Sequence, residues 1–113
     1  MNYFHPEEEH QAWALERYDG DHPGTRYLVE FPDGEAYICR LDTAYDSENG
    51  GELDIDEDSP LYDEFHQLSM EIIEVKNRGL RPYDKWLSLD YRDWPIRIMD
   101  ADRGAVVYPS PAR

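Results

Sequence analysis

The chain has 113 residues, with 26 Asp and Glu against 11 Lys and Arg, a formal net charge of −15. A chain of that length is one domain, residues 1–113, with a single modest core. The charge disfavours direct contact with DNA, RNA or anionic membrane and favours basic protein surfaces and cations.

Three Trp, nine Tyr and three Phe supply large apolar units, so the composition is that of a folded domain with acidic loops and not of a disordered acidic tail. The single cysteine, Cys39, rules out an internal disulfide and a zinc site built on Cys pairs. It lies in an apolar, strand-like run and reads as a buried, inert thiol. There is no apolar run of 18 residues, and the opening MNYFHPEEEH is acidic where a signal peptide is basic and then apolar. A cytoplasmic protein without membrane association is expected.

In chain order, Pro6 followed by Glu7, Glu8 and Glu9 predicts a short helix from Pro6 to about Tyr18, stopped by Gly20. A strand through Gln11–Arg17 is the competing assignment, because Trp13 and Leu15 also alternate. Thr25–Phe31 and Glu35–Leu41 alternate around Pro32-Asp33-Gly34, which predicts a β-hairpin. Ser59-Pro60 resembles a helix start, and Leu61, Phe65, Leu68, Ile72 and Val75 recur on one helical face. Gly79 is placed as the residue after the last turn. The main helix is therefore expected over about 60–77, although the β-branched residues of MEIIEV would also suit a strand beginning near 70. Trp86–Tyr91 alternates, and Pro95–Met99 with Ala105–Tyr108 suggests a second hairpin ahead of a frayed end, Pro109–Arg113. The expected class is α+β: a small antiparallel sheet from the two hairpins, with the main helix on one face and a short N-terminal helix besides.

Charge is unevenly placed. Residues 1–65 hold 19 acids and 3 bases, whereas residues 66–113 hold 7 acids and 8 bases. The stretch from Asp42 to Phe65 holds ten carboxylates and no Lys, Arg or His. Within it, Asp42–Glu52 reads as a flexible loop and Leu53–Asp58 as a short edge strand, while Asp63 and Glu64 suit the first turn of the expected helix. At about one charge per 200 Å², the first half of the chain comes within a factor of about two of the charge density of DNA.

No motif specifies a reaction. Asp54, Asp56 and Asp58 stand at positions 1, 3 and 5 of an EF-hand-like loop, but Ser59 replaces its glycine and Phe65 its bidentate Glu. The histidines of HPEEEH do not have the HExxH spacing, and His5, His10, His22 and His66 read as surface residues. A dense solvated set of carboxylates does not create the split pKa values that acid–base catalysis needs. No catalytic residue, metal ligand or cofactor is assigned.

Among the aromatics, Trp86 and Phe65 are expected in the core, and Tyr45 as an exposed anchor between acids. The expected function is a small acidic protein-interaction module. In its most concrete form it is a stoichiometric inhibitor, an immunity protein or DNA mimic covering the basic surface of a nuclease or other nucleic-acid-binding protein. The residues expected to bind the partner are Asp42, Tyr45, Asp46, Glu48, Glu52, Asp54, Asp56, Glu57 and Asp58. The alternatives are a calcium-type divalent-ion module using the 42–58 loop, and acidity that serves solubility alone.

Overall fold

The computed structural model describes residues 4–109. Pro6 at the first helical position, with three glutamates behind it, starts α1 (Pro6–His10). α2 (Ala12–Asp21) follows at once, so the two make a nearly continuous helix interrupted at Gln11. The N-terminal helix is therefore present, and the competing strand is not. It buries Ala12 and Leu15 and leaves Trp13 exposed.

The remaining elements are β1 (Arg26–Glu30), β2 (Ala36–Glu48), α3 (Gly50–Leu53), β3 (Glu64–Asn77), β4 (Trp86–Leu89), a 3-10 turn at Tyr91–Asp93, β5 (Arg97–Asp100) and β6 (Val106–Tyr108). The six strands form one antiparallel sheet in the order β4-β3-β2-β1-β5-β6. Both expected hairpins are present. β1 turns into β2 at Gly34, which has φ 91° and donates its N–H to the Phe31 carbonyl at 3.0 Å. β5 turns into β6 at Gly104, whose φ is 78°. The class is α+β, with the N-terminal helix packed on one face of the sheet. The expected frayed end lies, beyond Pro109, outside the described residues.

The main helix expected over 60–77 is not formed; Glu64–Asn77 is β3, the longest strand. Leu68 and Ile72 are four residues apart, a spacing that suits a helical face and equally a strand, because four is a multiple of two. The odd step from Phe65 to Leu68 separates the two patterns. Leu68 joins the core with Met70, whereas Phe65 is buried apart from it, under the Arg92 guanidinium and beside Tyr91. Leu61, which would start the helical face, is 67% exposed. β2 pairs along the length of β3, and β4 pairs with Leu68–Glu71 on its other side. That pairing, together with the β-branched run Ile72, Ile73 and Val75, outweighs the helical spacing.

The core lies between the helix and one sheet face. Leu15 and Ala12 meet Tyr27, Val29, Cys39, Leu68, Met70 and Ile98. Cys39 is buried there, and burial pushes its thiol up to about 12, so it is inert as expected. Three buried carboxylates brace this layer. Asp100 accepts hydrogen bonds from the Tyr18 hydroxyl and Arg103 Nη1, at 2.6 and 2.9 Å. Burial opposes its charge, yet these donors hold its pKa below the usual range. Glu35 takes the Tyr37 hydroxyl at 2.5 Å and Arg81 Nη1 at 3.3 Å. Gly79 abuts the Glu35 carboxylate, where a side chain would collide; this contact, not a helix end, is its role. Glu8 is the third. Among the described residues no helix is long and apolar enough to cross a membrane.

Candidate functional site

β2 outruns β1, which pairs only with Ala36–Arg40. A register shift at Asp42 follows, and Thr43–Glu48 then pairs with Glu64–Ser69 of β3, as a two-stranded ribbon beyond Leu68, where β4 ends. The expected flexible loop at 42–52 is therefore strand to Glu48 and helix from Gly50 to Leu53. The edge strand expected at 53–58 is instead a run of turns. Alternation of Leu53 and Ile55 does not make a strand where no neighbouring backbone is free to pair.

Asn49 closes this end. Its Nδ2 donates to the Leu61 carbonyl at 2.8 Å, and its Oδ1 accepts the Asp63 N–H at 2.7 Å. Its backbone N–H donates to the Asp63 carbonyl at 3.1 Å. A Cβ at Gly50 would displace the Glu48 carboxylate, which accepts the Gly50 N–H at 2.6 Å, and would crowd the Ile55 carbonyl. Asp54, at φ 54°, ends α3 in the left-handed region that Asp tolerates.

The eight acids from Asp42 to Asp58 are all exposed. Glu52 pairs with Arg92 at 3.2 Å, and Asp46 contacts His66 Nδ1 at 3.0 Å. Asp42, Asp54, Asp56, Glu57 and Asp58 make no ion pair among the described residues. Glu48 and Glu64 stand directly opposite across the ribbon, a like-charge pairing that costs stability. Tyr45 is exposed as expected, and its hydroxyl donates to Gln67 Oε1 at 2.9 Å, which fixes the ring. Nine expected contact residues thus sit on one end of the molecule, though not on a mobile loop. Asp63, expected at a helix N-terminus, instead contacts His5 Nε2 at 2.8 Å and accepts from the Tyr91 hydroxyl.

Two of the histidines expected at the surface are structural. His5 stacks on Tyr91 with ring centroids 3.8 Å apart. His66 is 9% exposed, with Nε2 2.5 Å from Glu16 on α2 and Nδ1 facing Asp46 on β2. Its backbone N–H donates to buried Glu8 at 2.6 Å. Burial opposes the charged ring, but the hydrogen bond that Nδ1 donates to Asp46 and the charge of Glu16 outweigh it, and the pKa is raised. The sequence carries no local sign of this trio, because 20 and 50 residues separate its members. Only the β2–β3 register, Asp46 opposite His66, brings them together.

Among the described residues no three His, Cys, Asp or Glu side chains are grouped to hold a metal ion. An open groove of about 570 Å³ lies between the helix and β6, lined by Trp13, Ala14, Arg17, Val106 and Val107 among others. It shares no residue with the acidic end. No protein-family model matches the chain, and neither a curated protein nor a solved structure matches it.

Proposed function

We propose that the chain is a protein-interaction module whose acidic end, Asp42 to Asp58, covers a basic surface on another protein. Its most concrete form is a stoichiometric inhibitor of the immunity-protein or DNA-mimic kind, acting on a nuclease or other nucleic-acid-binding protein. Asp42, Asp46, Glu48, Glu52, Asp54, Asp56, Glu57 and Asp58 would occupy the track a phosphate backbone takes, and Tyr45 would add contact area. The observation that supports this reading is the set of five exposed carboxylates without an ion pair among the described residues, displayed on a ribbon and loop that Asn49 clamps. A held array loses little conformational entropy on binding, and a cationic partner relieves the repulsion within it. The reading involves no catalysis. The divalent-ion alternative gains nothing from the fold, because the carboxylates are spread along an exposed ribbon and loop rather than grouped.

The test is capture from the native host with the tagged chain beside its Asp54→Asn/Asp56→Asn/Asp58→Asn variant. A basic protein retained by the parent chain, lost with the variant and eluted by a few hundred millimolar NaCl is the expected result. Capture that ignores both the variant and salt removes the proposal.

A further inference from the structure

Helical spacing sets Glu9, Trp13, Arg17 and Asp21 in one line, because residues four apart lie on the same face of a helix. Gln11 separates α1 from α2 but keeps right-handed dihedrals, φ −91° and ψ −76°, so the line runs through it. All four residues are exposed, and all four line the open groove of about 570 Å³ between the helix and β6. Trp13 on the helix is 43% exposed, and Val106 on β6 is 38% exposed. The side chains of Glu9 and Arg17 make no ion pair among the described residues. Each stands about 6 Å from Trp13 along the helix, in opposite directions.

This line is its own complement. A two-fold axis beside Trp13, perpendicular to the helix, sets the line of a second copy antiparallel to the first. Glu9 of each copy then meets Arg17 of the other, and the two Trp13 side chains meet at the axis. Asp21 falls opposite His5 and not opposite an acid. An axis between Trp13 and Arg17 would bring Glu9 against Asp21, a like-charge contact that disfavours it. An axis beside Asp19 would pair Arg17 with Asp21 but leave Trp13 outside the contact. We propose that two copies of the chain dock helix to helix through this groove, antiparallel, each laying its Trp13 against Ala14 and Val106 of the other.

Tryptophan and arginine are the residues most enriched where binding energy concentrates, and here both stand at the centre of the contact. The area is small. At about 35 Å² per contact residue, the ten residues that line the groove would bury about 350 Å² on each copy, about 700 Å² in all. That is less than a permanent dimer needs, so the association is transient, with a dissociation constant on the order of 300 µM. The inference is independent of the proposed function, because the groove shares no residue with Asp42 to Asp58.

Sedimentation equilibrium of the full chain, up to about 1 mM in 0.15 M NaCl to screen the net charge, tests it. A monomer–dimer equilibrium is the expected result. Trp13→Ala, Glu9→Arg and Arg17→Glu, all at exposed positions and checked for unchanged circular dichroism, should each weaken it at least fivefold. In the two charge variants like charges face each other across the axis. An equimolar mixture of Glu9→Arg with Arg17→Glu should associate again, as tightly as the parent chain, because each then presents the charges the other lacks. The triple Asn variant of the acidic end should dimerise as well as the parent chain or better. A monomer at 1 mM overturns the proposal. So does a dimer indifferent to all three substitutions, a mixture of the two charge variants that associates no better than either alone, or a dimer abolished by the triple Asn variant.

Discussion

Glu8 satisfies three backbone N–H groups with one carboxylate. Phe4 and His5 donate to Oε1, both at 2.9 Å, and His66 donates to Oε2 at 2.6 Å. The side chain is 1% exposed, so Glu8→Ala strips the partner from these donors and opens a void between helix and ribbon. A loss of about 2–4 kcal/mol in urea unfolding is expected. His66 makes stability pH-dependent in a defined direction. Its folded pKa is raised, so its contribution is complete below about pH 6.5 and drains away as pH rises through the folded value. Thermal melts of the parent chain from pH 5 to 8 should show that decline. His66→Gln should flatten it and cost about 2 kcal/mol at the acid end of the range, where charge-assisted hydrogen bonds to Glu16 and Asp46 are lost. An equal pH slope in the variant would assign the effect to other groups.

At the scale of elements, the ribbon and its loop hold together through Asn49 more than through any apolar cluster. Leu53 and Leu61 are 51% and 67% exposed, so burial contributes little there. Asn49→Ala removes the two side-chain hydrogen bonds that join the ends of the loop. It should cost about 1–2 kcal/mol and speed amide exchange over residues 49–63 selectively. Exchange that stays slow in the loop would mean that the turns hold themselves. β3 carries the contrasting lesson. A hydrophobic pattern with steps of both three and four suits a helix, but a strand matches it too where residues on either face are covered. Here Leu68 and Met70 lie beneath the helix, and Phe65 lies beneath Arg92.

For the molecule as a whole, exposed acids gather at the end that holds Asp42 to Asp58. Self-repulsion at the acidic end should make the free protein less stable at low salt, so its melting temperature should rise between 20 and 300 mM NaCl. The Asp54→Asn/Asp56→Asn/Asp58→Asn variant should melt about 2 °C higher than the parent chain at 20 mM NaCl and equally at 300 mM. A variant that melts lower would show that these carboxylates make stabilising contacts within the free protein.

Sequence by itself determined the features that depend on neighbours along the chain. Pro6 and the glutamates behind it start a helix whatever surrounds them, Gly34 and Gly104 permit their turns, and a run free of Lys, Arg and His makes Asp42–Asp58 acidic in any fold. Tertiary structure alone decided what depends on distant partners. β3 is a strand because β2 pairs along its length and β4 along its middle, and Trp86, expected in the core, is 50% exposed because it stands opposite Glu71 on the sheet face away from the helix. His66 is buried because the register brings Asp46 opposite it and the helix brings Glu16 over it. Backbone hydrogen bonds across a sheet and the desolvation of a side chain are set by residues tens of positions away, and local periodicity carries no record of them.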